Sequence, residues 1–401
     1  MKLDFKRFLV LSEYVHKEQN STGYYWSQLI DILGNKYDET ILVSPDIYKN
    51  SGFKKIDSVI HYTFKFYKTK SLSTIPRALS QLSQQLGFFK YLIKNVNKKT
   101  IVFTGTNPPL LLILIAIVKK FKNFKWILLV HDVFPENFVS SGILNQNGII
   151  YKIAKSAFDW AYGQSDQLIV IGRDMKELIN VKTNNSAPVD VISNWAIKNE
   201  VVPTSKKDNE LVKSLGWQNK IVFTFFGNIG RLQGIDNLLK AIDKVTAENA
   251  AFLFLGGGHK AHLLEKYIIQ NPYKNICYLG QIDDKNKSIG LNACDVSLVS
   301  LGEGMLGLGV PSKSYFSMAA GKPLLIIADQ LSEISMLVNE VGIGWECEPG
   351  NPEKLAFLID VICNERLYER TNDVRMYFEY NFTESIILKK FENVFERLID
   401  H

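Results

Sequence analysis

Short apolar runs alternate with amphipathic segments through the first half of the chain. The runs are rich in β-branched and aromatic residues, which favours strands, and they lie near Phe8–Ser12, Thr40–Val43, Thr100–Thr104, Trp126–Val130, Gln167–Ile171 and Val189–Ile192. The segments between them repeat apolar positions at helical spacing, which predicts helices near Tyr24–Leu33, Thr74–Lys94, Pro109–Lys119, Ile149–Ala161 and Met175–Val181. Alternation of this kind indicates a parallel sheet with helices on both faces.

The alternation is interrupted at residues 196–208, which are polar and end in two lysines and an aspartate. Beyond them, strands are predicted near Ile221–Phe226, Ala251–Leu255, Ile276–Leu279, Val296–Val299 and Leu324–Ile327. Helices are predicted near Ile235–Thr246, Lys260–Gln270, Ile289–Ala293, Ser312–Ala320, Glu333–Asn339 and Pro352–Asn364. The pattern predicts two Rossmann-like α/β domains, over residues 1–199 and 200–375. The apolar spacing of residues 376–401 predicts a C-terminal helix that packs back on the first domain.

The predicted topology also indicates where function resides. Ligands of open parallel sheets bind beyond the carboxyl ends of the strands. Two such sheets in one chain favour a binding cleft between the domains. We therefore expect the functional residues in the loops that follow strands.

Size and composition restrict the setting of the protein. The 401 residues, 46% of them hydrophobic, are typical of a soluble two-domain protein. The four cysteines lie far apart and show no disulfide or metal-ligand spacing, which favours a reduced cytoplasm. The first residues do not form a signal-peptide core. The longest apolar run, Leu110–Val118, is shorter than the roughly 20 residues that span a bilayer.

The net charge of +6 is unevenly distributed along the chain. Residues 1–200 carry 26 basic and 16 acidic side chains, whereas residues 201–401 carry 21 and 25. Between Lys54 and Lys125, fourteen basic residues accompany one acid, Asp57, and aromatic residues lie among them. This basic segment suits an anionic, partly apolar partner such as the inner face of a membrane. No nucleic-acid-binding motif is present. The alternative is a lysine-rich face that only keeps the protein soluble.

Two loops of the first domain carry candidate residues. The loop after the first strand leads to Gly23, where a ligand can approach backbone N–H groups; an ordinary strand-to-helix loop is the alternative. His131 and Asp132 follow the strand near Trp126–Val130, and His131 is placed to hydrogen-bond a polar substrate. The alternative is a histidine that bonds only the local backbone.

Two loops of the second domain are rich in glycine. After its first strand, residues 227–234 read GNIGRLQG, in which Asn228 and Gly230 precede the cation Arg231. This is not the G-x-G-x-x-G pattern of dinucleotide-binding proteins. After the next strand comes a glycine triplet, which favours a flat ligand against the backbone and has a flexible turn as its alternative: Gly256, Gly257 and Gly258.

A third segment of this domain, GVPSKSYFSMAAGKP over residues 309–323, predicts a loop that enters a short helix. Pro311 suits a helix start, Ser312 can cap it, and Lys313 follows. Such a start attracts phosphate, although the segment also fits an ordinary loop–helix–strand unit. The sequence has no metal-binding Asp-x-Asp. A bound diphosphate would thus be neutralised by Arg231, Lys313 and helix ends.

Taken in order, these segments resemble glycosyltransferase family 4, retaining enzymes of the GT-B fold that use sugar nucleotides. In the second domain the resemblance rests on FFGNIGRLQGIDNLLKAI, FLFLGGG, GVPSKSYFSMAAGKPLL and DQLSEISMLVNEVGIGWECEPGNPEKLAFLI. In the first domain it rests on HDVFPE and VISNW. The order and spacing match the branch that makes bacterial capsule, O-antigen and exopolysaccharide.

The resemblance implies a GT-B fold, with two Rossmann-like domains whose sheets face each other across a cleft. It implies catalytic roles for His131, near the transferred sugar, and for Arg231 and Lys313, at the donor diphosphate. Residues expected to bind substrate complete the site: Gly23, Asn228, Gly230, Gly256, Gly257, Gly258, Pro311, Ser312 and Glu333.

The chain departs from the family pattern in two places. The family often has an arginine and a lysine in the first glycine-rich loop, where this chain has Asn228 and Gln233. The family also often has two glutamates eight residues apart, and the matching positions hold Leu308 and Phe316. The ribose contact of the second glutamate is therefore missing, and Glu303 lies out of register.

We predict a cytoplasmic glycosyltransferase, peripheral at the membrane, that takes a sugar from a nucleoside diphosphate, with UDP favoured. The acceptor is expected to be a polyprenyl-diphosphate-linked or growing glycan, and no cofactor or metal is expected. Two alternatives stay open. A sugar-nucleotide 2-epimerase of the same fold would need an acid/base set such as His131, Asp132 and Glu136. The other alternative is a non-catalytic subunit that binds a sugar nucleotide.

Overall fold

The computed structural model describes residues 7–17, 19–37, 39–46, 52–56, 58–69, 74–283, 286–366 and 373–400. Asp57 and Lys70 of the basic segment lie outside these ranges. Contacts divide the chain into two units, one formed by residues 1–192 and 388–401 and the other by residues 193–387. Each unit is built on one sheet.

The first unit contains an eight-stranded sheet. Its strands are β1 Arg7–Leu11, β2 Thr40–Pro45, β3 Gly52–Ile56, β4 Val59–Phe64, β5 Thr100–Gly105, β6 Lys125–Val130, β7 Gln167–Val170 and β8 Val189–Val191. Their order across the sheet is β3-β4-β2-β1-β5-β6-β7-β8. Every pairing is parallel except that of β3 with β4.

Before the second unit begins, the described residues form the helices α1 Ser21–Lys36, α2 Thr74–Asn95, α3 Leu110–Lys122, α4 Glu136–Ser140, α5 Ile149–Tyr162 and α6 Arg173–Thr183. Crossovers between parallel strands are right-handed. Because α1 leads from β1 to β2 and the later helices lead in the opposite direction, α1 covers one face and α2, α3, α5 and α6 the other. On that second face α2 packs beside α3, and α3 beside α5.

Most buried residues at the centre of this sheet are apolar, and Thr104 on β5 is one of its buried polar residues. Trp126 on β6 is fully buried, and its indole N–H donates to the Thr104 hydroxyl on β5 at 2.9 Å. A buried indole N–H needs such an acceptor. The hydrogen bond therefore explains the polar Thr104 within the buried strand β5.

The six strands predicted for the first half are confirmed, and the structure adds β3 and β4. Their sequences, GFKKI and VIHYTF, lack the continuous apolar run of a buried strand. His61 on β4 is buried, and its Nε2 lies 2.8 Å from the Ser44 hydroxyl on β2. Because β4 carries a buried polar residue, its sequence does not show the apolar pattern that predicted the other strands.

The second unit has six parallel strands in the order β11-β10-β9-β12-β13-β14. They are β9 Ile221–Phe226, β10 Ala250–Leu255, β11 Ile276–Tyr278, β12 Val296–Ser300, β13 Leu324–Ile327 and β14 Gly344–Cys347. The first five are confirmed, whereas β14 was not predicted. Its sequence, GWEC, begins with glycine, and a glutamate separates its two apolar residues, so it contains no apolar run.

Helices of the second unit precede the first of these strands, connect the strands, and follow the last one. They are α7 Glu210–Ser214, α8 Ile235–Lys244, α9 Ala261–Gln270, α10 Lys287–Asn292, α11 Lys313–Ala319, α12 Glu333–Val341, α13 Pro352–Glu365 and α14 Val374–Asn381. Stacked phenylalanines join the neighbouring strands β9 and β10: the rings of Phe223 and Phe252 have centroids 5.6 Å apart, and those of Phe225 and Phe254 6.0 Å.

The last helix, α15 Glu384–Asp400, begins in the second unit and continues into the first. Its Phe395 packs on Phe8 of β1 and Phe103 of β5, with ring centroids 5.6 and 5.2 Å apart. Lys36 at the end of α1 pairs with Glu396 at 2.7 Å. The tail therefore covers the α1 face of the first sheet. Over the described residues, every helix is too short or too polar to span a lipid bilayer.

Candidate active site

The loops after β9 and β10 are joined backbone to backbone. The Gly227 N–H donates to Leu255 O, and the Ile229 N–H donates to Gly257 O, both at 2.8 Å. Gly256 adopts φ +133°, and a Cβ built on it would lie under 3.0 Å from Gly227 O. Glycine at position 256 is therefore required for the contact between the two loops as well as for a positive φ.

Asn228, at the position where the family often has arginine, is enclosed by neighbouring glycines. A Cβ on Gly258 would lie under 3.0 Å from its Oδ1, and one on Gly230 under 3.0 Å from its Nδ2. Gln233, at the position of the family's lysine, accepts the Gly230 N–H through Oε1 at 3.0 Å. Both amide side chains therefore help to shape the loop itself.

Lys313 reaches the same loop from a third segment. Its side chain crosses Gly227, where an added Cβ would lie 3.3 Å from both Cγ and Cε of the lysine. Its Nζ lies 5.0 Å from the centre of the Phe226 ring and 5.8 Å from that of Phe316. Aromatic rings at this range attract an ammonium group. Lys313 is thus held at the carboxyl end of β9 by two aromatic rings, neither of which was among the predicted site residues.

Ser312 does not cap α11 as the sequence suggested. Within the described part of the chain, its side chain makes no capping hydrogen bond. The reason is its helical backbone, with φ −59° and ψ −23°, because a capping residue normally has extended angles. The first turn closes instead through Ser314 N to Pro311 O at 3.1 Å and Tyr315 N to Ser312 O at 3.2 Å.

Arg231 begins a short 3-10 turn, Arg231–Gln233, and its side chain is exposed. One guanidinium nitrogen lies 3.3 Å from Nε2 of His259, in the loop after β10. The structure thus adds His259 to the predicted residues. Its position directly after the glycine triplet is the sequence feature that could have identified it as a site residue.

Glu333 opens α12, whose N-cap Ser332 accepts the Ser335 N–H at 3.4 Å. Ser332 lines a surface cavity of ≈ 440 Å³ among the loops after β12, β13 and β14. Glu303 lines it too, with its carboxylate packed against Gly350. Glu303 therefore lies beside the loops that follow β13 and β14.

In the first unit, His131 follows β6 and is partly buried. Its ring stacks on Tyr25 of α1, with centroids 6.3 Å apart. Burial lowers the pKa of His131 to about 4, so the imidazole is neutral at physiological pH. A neutral imidazole can donate one hydrogen bond and accept another.

The acids near His131 are occupied by structural partners. Asp132 accepts hydrogen bonds from the amides of Asn107 and Asn137, each at 3.1 Å, and burial raises its pKa. Glu136 accepts hydrogen bonds from the ammonium of Lys182 at 2.6 and 2.7 Å. Because the Lys182 side chain has no exposed surface, this ion pair is part of the core of the unit. The proposed acid/base set is thus engaged in holding the fold.

Gly23 lies in the first turn of α1. Its N–H donates to Oδ1 of the N-cap Asn20 at 2.9 Å. A Cβ at this position would lie under 3.0 Å from His16 O, so the preceding loop crosses directly over Gly23. Local packing therefore accounts for the glycine, and its N–H is already bonded within the fold.

Comparison with known proteins supports one enzyme class. A family model described as glycosyl transferases group 1 matches residues 207–380. A probable glycosyltransferase, WbjE, of Pseudomonas aeruginosa is 41% identical over 96% of both chains. A putative colanic acid biosynthesis glycosyl transferase, WcaI, of Escherichia coli K12 is 30% identical over 44% of this chain and 43% of that one.

Solved structures show the same architecture. A sucrose-phosphate synthase of Thermosynechococcus elongatus superposes with a TM-score of 0.76 at 14% identity, covering 98% of this chain and 99% of that one. Anabaena HepE in complex with UDP superposes with a TM-score of 0.68 at 14% identity, covering 98% of this chain and 100% of HepE. From the two predominantly parallel α/β domains and the near full-length relative, we conclude that the chain is a GT-B enzyme belonging to the group 1 glycosyltransferases.

Proposed function

We propose that the enzyme transfers a sugar from a nucleoside diphosphate, with UDP as the nucleotide, to a lipid-linked or growing surface glycan. The observation that carries this proposal is Lys313 lying across Gly227, where the loops after β9 and β10 meet. The edge formed by those carboxyl strand ends is where parallel sheets bind ligands. The names of the relatives and the UDP and UDP-glucose complexes of HepE support the substrate class.

The proposed chemistry is departure of the nucleoside diphosphate from the anomeric carbon. The bonding electrons go to the diphosphate oxygen, and the acceptor hydroxyl oxygen forms the new bond to the anomeric carbon and gives its proton to the departing diphosphate. In our proposal the ammonium of Lys313 and the guanidinium of Arg231 stabilise the growing negative charge, so that the reaction needs no metal. Neutral His131 hydrogen-bonds the sugar. Retention at the anomeric carbon is part of the proposal and rests on the family resemblance.

The acceptor is proposed to bind the first unit, at the cytoplasmic face of a membrane. On one face of its sheet, α2, α3 and α5 expose large apolar side chains beside lysines. Those on α3 and α5 are Leu110, Ile117, Phe121, Ile149, Ile150 and Ile153. Apolar contact combined with positive charge is what attaches a peripheral protein to anionic lipid.

The engaged acids argue against the epimerase alternative. Asp132 is bound by two amides and Glu136 by a buried lysine, so neither is free to move a proton on a sugar. Incubation with UDP-N-acetylglucosamine in the absence of acceptor provides the test. Formation of the 2-epimer would contradict our proposal, and an unchanged sugar would support it.

Substitution tests the phosphate roles directly. Loss of one donor to a developing oxyanion typically reduces turnover about a hundred- to thousandfold, and we expect that loss in Lys313→Ala and in Arg231→Ala. Lys266, exposed on α9, provides the control Lys266→Ala. A panel of nucleotide sugars, screened by thermal shift and then for turnover, supplies the measurement. Near-normal turnover in both site variants would refute the assignment, and stabilisation by UDP without turnover on any acceptor would favour a non-catalytic subunit.

A further inference from the structure

The first unit contains a cavity of ≈ 720 Å³ on the α2 face of its sheet. It lies between β4, the segment of residues 65–69 and the second half of α2. Lys65, Lys90 and Lys94 line it, together with aromatic rings that include Phe66 and Tyr67. The structure describes every residue that lines it, and none of these carries a carboxylate.

Close packing holds the walls of this cavity in place. Gly87 on α2 faces the Phe64 ring on β4, and a Cβ at Gly87 would lie under 3.0 Å from that ring. Tyr62 and Tyr91 have ring centroids 4.6 Å apart and close the same contact between strand and helix. The Tyr67 N–H donates to the Ser83 hydroxyl at 2.8 Å, which ties the segment 65–69 to α2.

The charges of the cavity all have one sign. Lys90 and Lys94 are four residues apart on α2, where like charges repel. Lys94 also lies in the last turn of the helix, where a cation is favourable. The helix end therefore accounts for the lysine at position 94, but not for Lys65 or Lys90. An anionic group between the three ammonium ions would remove the repulsion and accept charge-assisted hydrogen bonds.

An apolar stripe begins at the rim of the cavity. One side of α2 exposes Ile75, Leu79, Leu82, Leu86 and Ile93. Their spacing places them in one row along the helix, and Leu86 also lines the cavity. An anionic cavity ligand with a hydrocarbon portion would therefore find an apolar path directly beside its charged group.

We propose that this cavity binds the phosphate or diphosphate head group of an amphiphilic lipid, whose hydrocarbon portion extends along the stripe of α2. The lysines match the charge, the aromatic rings match the apolar atoms next to it, and the stripe matches the tail. Two sources share this chemistry: a lipid-linked sugar acceptor and an anionic membrane phospholipid. Identification with the acceptor rests on the proposed glycosyl transfer, whereas the cavity itself does not.

The first test is direct binding of farnesyl diphosphate to the full chain, with farnesol and inorganic diphosphate as partial ligands. We compare the triple variant Lys65→Gln, Lys90→Gln, Lys94→Gln with a control that removes three lysines outside the cavity: Lys98→Gln, Lys99→Gln, Lys122→Gln. We expect the cavity variant to bind on the order of a hundredfold more weakly, because each lysine near an anionic group contributes a factor of about five. The control should bind like the wild type. Equal weakening in both variants, or no binding by the wild type, would overturn the proposal.

A second test identifies the source of the lipid. Short-chain phosphatidylglycerol that displaces farnesyl diphosphate at similar concentration supports the cavity and assigns it to membrane phospholipid. Failure to displace, together with a raised KM for a lipid-linked acceptor and unchanged kcat in the cavity variant, supports the cavity and assigns it to the acceptor. Thermal stabilisation by UDP is measured separately. If UDP has no effect while farnesyl diphosphate binds, the proposed function fails and the lipid site stands.

Discussion

The carboxyl edges of the two sheets are held together by different kinds of contact. In the second unit, the loops after β9 and β10 meet through backbone atoms, with glycines wherever a side chain would intrude. In the first unit, the segment after β6 is held by side chains, namely Asp132 between two asparagines and Glu136 on a buried lysine. The difference separates two roles. A glycine-rich edge leaves room for a ligand, whereas an edge held by side-chain hydrogen bonds and ion pairs provides a rigid wall.

The largest effect that we expect from this comparison is in the first unit. Lys182→Met leaves Glu136 and Asp159 without the cation that lies 2.6 and 2.5 Å from them, and breaking a buried ion pair on one side costs about 3–5 kcal/mol. The control is Lys155→Met, which removes a more exposed partner of the same two acids and should cost about 0–1 kcal/mol. Urea unfolding at neutral pH measures both variants. Equal losses would show that the buried pair does not hold this edge.

In the second unit the corresponding change is addition of one carbon atom. Gly256→Ala places a Cβ against Gly227 O at a positive φ, and strain of this kind costs about 1–3 kcal/mol per residue. Gly257→Ala is the matched control, because its Cβ would meet only Gln281 Oε1, 4.0 Å away. We expect the first variant to lower the free energy of unfolding and to weaken UDP binding. Similar behaviour of the two alanines would contradict the backbone contact.

His131 makes the first unit sensitive to acid. Burial lowers its folded pKa from 6.5 to about 4, so the unfolded chain binds the proton more readily than the folded one. Its contribution to stability is therefore present above about pH 6.5 and is lost as the pH falls toward about 4, by roughly 1–3 kcal/mol. Unfolding of the wild type and of His131→Gln should be compared across that range. The wild type should lose more stability than His131→Gln as the pH falls toward about 4, and parallel curves would contradict the assignment.

The smallest expected effect concerns Gly23. Asn20→Ala removes the side chain that accepts the Gly23 N–H and should cost about 1 kcal/mol, as is usual for loss of an N-cap. The control is Ser21→Ala, an exposed position in the same turn. If the Asn20 variant is as stable as the wild type, the hydrogen bond between Asn20 and the Gly23 N–H does not stabilise the fold. A ligand could then take that N–H without a cost in stability.

Much of the fold followed from apolar runs, because buried parallel strands are apolar on both faces. The edge strands β3 and β14 escaped for the same physical reason, since an edge tolerates lysine, glycine and glutamate. In the site, the loops after β9 and β12 lie close together because these two strands are neighbours in the sheet. The strand order alone therefore predicts this proximity. The sequence did not indicate which side chains of these loops contact each other. The contacts of Lys313 with Phe226 and of Arg231 with His259 depend on rotamers and loop geometry.

The path of α15 has a consequence for synthesis. A ribosome that has made residues 1–192 has produced every strand of the first sheet, yet Phe8 and Phe103 still lack Phe395, which arrives just over two hundred residues later. The whole second unit is translated in the interval and can fold first. Until then the α1 face of the nascent sheet lacks the contacts of Phe395 with these two rings, so the earliest part of the molecule to appear is the last to be completed.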